Sequence, residues 1–517
     1  MKKILLYTFI AAASTLTTSC NDYLDCEPIT SVSTNVYLYS ETDLAAYAAK
    51  FYNDSENENN GEYGNILPSH GSATYNLGLF QKDNGTDNQT ADSPSKLFVK
   101  GQYHVGDDDL WHKYFRKIRA TNYFIQTVTE RYENGEISGN DANIRHYIGE
   151  VYFFRAYIYL TALQNLGDFP ILTEILPDDY DAIREASKRR PRNEVARFIL
   201  SDLDKAYEYM LPNAPVSNRL NKDCAALVKS RTALFEATWE KYHKGSAFVP
   251  GGPGWPGASM DYLKDFSFDI DAEIKYFLQQ AIEAADIVAQ GHSLHNNYAA
   301  LIEAYYELNG NLGGNCDKYW KALRTRAGMS TDYQKTINNT DISKEKQDWG
   351  SYSAGQQINT TLYNIRRERR IELVSEGFRM ADLKRWRALD QVKDVHVQGF
   401  NFWDSMYQLY TNPQAEDAAT PIAKITLLEY GVTDKTANIS AKSDPYAEGK
   451  YLLPYRKNAA NIGFSGLNWN TSKYLYPISN KQFRLTTAVP GSNEYESSTI
   501  YQNPGWSRND GTLPEGE

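Results

Sequence analysis

Three glutamates, Glu368, Glu372 and Glu376, stand at i, i+4 and i+8, a spacing that puts them on one face of a helix. Paired carboxylates roughly 5–10 Å apart are what glycoside hydrolysis uses. The acid of such a pair needs a raised pKa. Here Arg366, Arg367, Arg369, Arg370 and Arg379 crowd the same stretch, and nearby positive charge keeps carboxylates ionised. The residues therefore read as a structural ion-pair network, with no catalytic residue assigned. Arg385 and Trp386 are expected to anchor the helix against the C-terminal region, because guanidinium stacks well on aromatic faces.

A second constellation is Asp83-Asn84-Gly85-Thr86-Asp87-Asn88. Short oxygen-bearing side chains of this kind can bond sugar hydroxyls or hold a structural Ca²⁺. The run lacks the Gly at position 6 and the Glu at position 12 of an EF-hand. Its other reading is a solvated turn. Trp255, set between Pro253 and Pro256 in a Pro/Gly-rich loop, reads either as an aromatic platform for a sugar face or as a ring folded onto a core edge. Tyr75 and Phe80, just before the Asp-rich loop, are weaker platforms of the same kind. Trp111 and Trp320 fall on helical stripes and read as core. The eight histidines show no metal spacing, and neither a nucleophile elbow nor a phosphate-binding loop occurs. No cofactor other than a possible structural Ca²⁺ is expected.

The elements that must position these residues are mainly helices. Apolar residues from Ile144 through Ile148, Val151, Ile158 and Leu163 to Leu166 keep helical spacing and predict one buried stripe over 142–166. Gly167 stops that helix, and Pro170 prevents its resumption. Further amphipathic stretches predict helices over 109–131, 194–210, 222–243, 271–290, 300–308, 317–327 and 361–388. Paired helices of this length suggest stacking of tetratricopeptide type, without its clean period of about 34 residues. The loops at 53–60, 81–95 and 245–257 are polar or Pro/Gly-rich, and the last stretch of the chain carries few helical stripes. Long loops in folded proteins are usually functional.

Composition narrows the ligand class. Lys and Arg number 54 against 65 Asp and Glu, for a net charge of −11. An acidic body disfavours nucleic acid and anionic lipid surfaces but suits neutral ligands. Tyrosines number 39 and tryptophans 9, enough to fill a core and leave flat faces over. The N-terminus reads as an address. Lys2 and Lys3 precede an apolar run from Ile4 to Leu16, shorter than the roughly 20 residues of a membrane span. Leu16-Thr17-Thr18-Ser19-Cys20 resembles a lipobox. Residues 1–19 would then be a signal peptide, Cys20 the acylated first mature residue and 20–35 a tether. Several acyl chains give stable attachment where one does not. Cys26, Cys224 and Cys316 remain, too few and too odd for a disulfide framework.

The stretch 366–386 reads RRERRIELVSEGFRMADLKRW. It closely resembles the signature helix of the SusD/RagB family, outer-membrane nutrient-binding lipoproteins of Bacteroidetes, through Arg366, Glu368, Arg370, Glu372, Glu376, Arg379, Asp382, Arg385 and Trp386. Four other stretches are similar to the family in the same order. They are the start at 21–25, the helix and Gly-Asp-Phe-Pro turn over 150–170, LRTRAG at 323–328, and the C-terminal YLYPI and QNPGW runs. Residues 297–308 look shortened against relatives. The resemblance implies an all-α, SusD-like fold with minor β. Tetratricopeptide-like helix pairs would back a loop-rich ligand side. The domain would span 36–517, its parts about 36–260 and 261–517. It also implies a non-catalytic, surface-facing protein tethered to outer-membrane lipid through Cys20. Such a protein captures oligosaccharide for a SusC-like TonB-dependent transporter; peptide or glycopeptide is the alternative cargo, and a surface glycoside hydrolase the more distant one. Ligand contacts are expected at Asp83, Asn84 and Asp87, with Trp255, Tyr75 and Phe80 as stacking rings.

Overall fold

The computed structural model describes residues 37–52, 66–67, 81–291, 297–399, 401, 437–443 and 449–517. Cys20, Tyr75 and Phe80 lie outside them. The described chain begins with α1 (Glu41–Ala49), which opens on a capping box: the Ser40 hydroxyl accepts from the Asp43 amide, and the Asp43 carboxylate accepts from the Ser40 amide. The long helices follow as α2 (Leu110–Glu133) and α3 (Asp141–Leu166), then a short α4 (Tyr180–Ala186), then α5 (Arg192–Tyr209), α6 (Lys222–His243), α7 (Ile270–Gly291) and α8 (Asn297–Asn309). Asn140 caps α3 and Asn221 caps α6, each accepting from a backbone N–H of the first turn. Gly167, at φ 71°, ends α3 in a conformation few other residues adopt.

Consecutive helices pack on one another: α2 on α3, α3 on α5, α5 on α6, α6 on α7 and α7 on α8. This is the stack of helix pairs that the stripes predicted. Helix α9 (Cys316–Arg326) lies on α8, followed by a small α10 (Tyr333–Asn339), a two-stranded hairpin of β1 (Tyr352–Ser353) and β2 (Gln356–Gln357), and α11 (Thr360–Glu372), which also packs on α8. Helix α12 (Arg379–Arg385) then returns to α6, and α13 (Asn480–Arg484) sits in an otherwise loop-built C-terminal region. The described protein is thus almost wholly helix and loop. None of its described helices is long and apolar enough to cross a membrane.

Two expectations are corrected here. Helix α3 is buried around nearly its whole circumference rather than along one stripe. Phe153, Phe154, Arg155, Leu160 and Glu150 are buried together with Ile144, Val151 and Leu163. The reason is its central position, with α1, α2 and α5 all against it. Its polar residues are satisfied inside the core, as buried polar groups must be. Arg155 donates to both Asp202 oxygens at 2.7 and 2.8 Å and to Asn122 Oδ1 at 2.9 Å. Burial pushes the Glu150 pKa up, but hydrogen bonds from His146, Arg219 and Tyr52 outweigh it and hold the carboxyl below its usual range.

The second correction concerns 361–388. The chain forms α11, then leaves the helix over 373–378, then forms α12. Ser375 at φ 63° and Gly377 at φ 79° make the break. Helical periodicity runs straight through it, because Leu373 and Met380 are both needed apolar. The helix expected over 300–308 in turn starts at Asn297.

Candidate functional site

The signature segment, 366–386, is a frame of charged groups. Its glutamates and arginines do not pair with each other as the spacing suggested. Glu368 meets Arg324 at 3.2 Å, and Glu372 pairs with Arg326, both from α9. Glu376 falls in the break between helices and so leaves the face shared by the other two. The arginines reach outward instead. Arg366 donates to the carbonyls of Gly350 and Tyr352 and to the Ser353 hydroxyl, with its plane 4.4 Å from the Trp386 ring. Arg369 and Arg385 grip Asp382, and Arg385 donates to both Glu303 oxygens at 2.6 and 2.8 Å. Arg385 and Trp386 therefore anchor α12 on α8 and α6 through Glu303 and Thr238, while Trp386 also shares a buried apolar cluster with Tyr474, Leu475 and Trp506 of the C-terminal region. The C-terminal contact comes from Tyr474, whose hydroxyl accepts from Leu389 N.

This frame holds two loops. Asp87 accepts from Arg379 at 2.6 and 2.7 Å and from the Trp349 amide at 3.0 Å. Burial alone would raise the Asp87 carboxyl; Arg379, Arg370 and the Trp349 amide outweigh it and hold it below the usual carboxylate range. Arg370 donates to Asn88 Oδ1 and to the Asp87 carbonyl, both at 2.6 Å, and ion-pairs with Asp348 at 3.0 Å. Asp83 is fully buried; its Oδ2 accepts from Ser375 N and Asn88 Nδ2. The expected sugar contacts Asp83 and Asp87 are thus committed to fixing the loop 83–90, because a buried carboxylate needs donors and the signature segment supplies them. Asn84 is exposed on the rim of that loop. No three His, Cys, Asp or Glu side chains gather as metal ligands among the described residues. The geometry of the Asp-rich loop lends the calcium expectation no support.

Trp255 is also placed away from a ligand face. It is 6 % exposed, donates from Nε1 to Asp168 at 2.8 Å and packs with Leu263 and Tyr501. The rigid loop that was to present it folds it onto a core edge. Trp111 and Trp320 are core, as their stripes indicated.

What the two loops enclose is a groove of about 700 Å³. One wall is 86–90, a second runs from Lys346 to Tyr352, and a third from Gln391 to Gln398, with Ser440, Ala441, Leu453 and Leu467 completing it. The polar lining includes five amide side chains, Asn88, Gln89, Gln347, Gln391 and Gln398, beside hydroxyl groups and the charged Asp87, Lys346 and Asp394. The Gln391 Nε2 donates to the Ala388 carbonyl, and its buried Oε1 has no partner among the described residues. Tyr352 offers a half-buried ring; Trp349 is buried, with its ring tilted against Phe98 at 5.3 Å. His396 meets Arg456 Nη2 at 2.9 Å. Arginine only donates, so His396 Nε2 accepts and the proton sits on Nδ1. Burial, with Arg456 beside it, lowers the His396 pKa to about 4. The imidazole is a neutral donor across the physiological range.

Of these lining positions only Thr86, Asp87 and Asn88, within the Asp-rich run, were singled out from sequence. The one signal for the others is position: the polar and aromatic run 347–352 precedes the signature segment, and 391–398 follows it.

Two family models match the chain. The one described as SusD family covers residues 297–506, and one described as starch-binding associating with outer membrane covers 22–234. The chain belongs to the SusD/RagB family. The two SusD-family halves meet at the frame just described, since Asp87 lies in the first match and Arg379 in the second. Solved structures of similar architecture include a SusD-like protein of Bacteroides fragilis, 15% identical, with 92% of this chain and 99% of that one covered and a TM-score of 0.49. Another is a SusD superfamily protein of Parabacteroides distasonis, 11% identical, covering 90% and 99%, TM-score 0.48. A third is a surface glycan-binding protein A from Bacteroides fluxus, 14% identical, covering 90% and 99%, TM-score 0.41. No curated protein matches the chain.

One buried group of the frame yields a stability test. Lys384 is 4 % exposed, and its Nζ sits 4.5 Å from the Tyr476 ring centre with no carboxylate beside it among the described residues. Burial lowers its pKa from 10.5 to about 7. The unfolded chain therefore binds the proton between those values while the folded chain does not. By linkage, this group makes stability rise with pH across that window and imposes its full penalty below it. Lys384→Met is expected to raise the melting temperature at pH 6, by a margin that shrinks toward pH 9. An equal shift at both values would contradict the assignment.

Proposed function

We propose that this SusD-family protein is a non-catalytic surface lipoprotein. It captures oligosaccharide in the groove beside the signature segment and hands it to a SusC-like TonB-dependent barrel. The observation that carries the reading is the lining of that groove. Sugars present hydroxyls that need planar amides and C–H faces that pack on rings. Asn88 is tied to Arg370 and Asp83, so Gln89, Gln347, Gln391 and Gln398, a neutral His396 and the Tyr352 ring supply both. A volume of about 700 Å³ lies within the usual range for a small-ligand site, roughly 300–1,000 Å³.

Chemistry in the groove is disfavoured by the same geometry. Asp87 is the carboxylate held most firmly there, and two guanidiniums keep it ionised. A glycosidase acid needs the opposite shift. The tether fits a lid on a barrel: acylation at Cys20 would hold the body at the outer membrane while 20–35 lets it move. The family description as outer-membrane associated supports that placement.

The test is affinity electrophoresis of the purified ectodomain in gels containing neutral polysaccharides. Retardation by at least one glycan is expected, with no new reducing ends on incubation. Tyr352→Ala and Gln391→Ala should each weaken binding by about tenfold, the worth of one good contact. Mobility unchanged in every gel would favour a peptide cargo. Release of reducing ends would end the non-catalytic reading.

A further inference from the structure

A second cavity, of about 380 Å³, lies on the other side of the frame, between α3, α6 and the segment from Glu376 to Arg385. It shares no lining residue with the groove. Its walls are largely apolar, with Leu160, Val228, Leu234 and Phe378 among them. Into this wall the sequence sets Arg231. The guanidinium stacks on the Phe378 ring at 4.3 Å, and no hydrogen bond or ion pair meets it among the described residues.

The most deeply buried arginines of this protein differ. Arg155, Arg192, Arg366, Arg369, Arg379 and Arg385 are all matched to carboxylates or carbonyls. Glu376 and Asp382 attract Arg231 across the cavity. The Asp382 oxygens, however, are taken by Arg369 and Arg385. Tyr157, on the α3 wall, likewise has no hydrogen-bond partner for its hydroxyl among the described residues. A cationic fork and a phenol thus face a largely apolar chamber, which Lys82, Glu376 and Asp382 also line, with their donors unused. Ionised acceptors make the strongest hydrogen bonds to such a fork, often two at once.

We propose that this cavity binds a small organic carboxylate with an apolar body, its two oxygens on Arg231 and the Tyr157 hydroxyl and its body against Leu160, Val228 and Phe378. The site is separate from the glycan groove and does not rest on it. Its position against α12 places an anion beside the frame that holds the groove.

Isothermal titration of the full ectodomain with phenylacetate, and in parallel with uncharged phenylacetamide, tests the assignment. Phenylacetate is expected to bind saturably at one site and at least about tenfold more tightly than the amide. Arg231→Met should lower phenylacetate affinity by at least about tenfold while leaving retardation by glycan unchanged. If that variant folds poorly, Tyr157→Phe keeps the ring and is expected to lose roughly threefold. No saturable heat with phenylacetate, equal affinity for the amide, or unaltered binding in well-folded Arg231→Met would each overturn the site. Glycan retardation left unaltered in the groove variants would sink only the proposed function.

Discussion

Glu303→Gln is expected to remove about 3–5 kcal/mol of folding stability, read as a lower urea midpoint at unchanged slope. The Glu303 carboxylate is fully buried on α8. It accepts from both Arg385 Nη atoms and from Trp386 Nε1 at 2.6 Å, with Arg369 Nε at 3.7 Å. Glu303 and Asp382 together balance Arg369 and Arg385. Burial would push the Asp382 pKa up, yet the two arginines outweigh it and hold it below the usual range. A glutamine keeps one oxygen but turns an NH₂ toward a guanidinium and leaves one positive charge in excess. The cost comes from that stranded charge, so the double variant Glu303→Gln/Arg385→Met should lose less than the sum of its parts. A loss under about 1 kcal/mol in the single variant would mean the cluster is wetter than its burial indicates.

Asp87→Asn is the second large effect. It is expected to cost about 3 kcal/mol at pH 7 and to weaken glycan binding with it. The carboxylate ties Arg379 to the Trp349 amide, so its neutral amide would free two groove walls together. The pH dependence has a definite sign. The folded pKa is depressed, so the contribution is present above the unfolded value of about 3.9 and is lost as pH falls through the lower folded value. The gap in melting temperature between wild type and Asp87→Asn should be full at pH 7 and narrow below about pH 4. A gap that stays constant to pH 3 would show that Asp87 acts through packing alone. A stability loss without weaker glycan binding would detach the groove from the frame.

The signature segment shows where sequence reading reaches and where it stops. Its arginines and glutamates were legible as structure rather than catalysis, because charge of one sign suppresses the acid that hydrolysis needs. Which partner each took was not legible. Glu368 and Glu372 pair backward to α9, and the arginines reach loops far away. The break at Ser375 and Gly377 was hidden too, since its flanking residues keep the helical stripe. Trp255 was ambiguous for a related reason. A loop fixed by prolines holds a ring firmly in either direction, and only Asp168, 87 positions away, shows which.

Most of the long helices, the stop of α3 at Gly167 and the family itself were legible in the residues alone, because periodicity, a Gly after a helix and a contiguous motif are all local signals. The groove beside the signature segment, the unpaired Arg231 and the partners of the buried charges described above were visible only in the tertiary structure. Asp87 and Trp349 stand 262 positions apart, and a contact at that separation leaves no pattern in either neighbourhood. Chain closure brings them together, and a carboxylate's role follows from the donors it then meets.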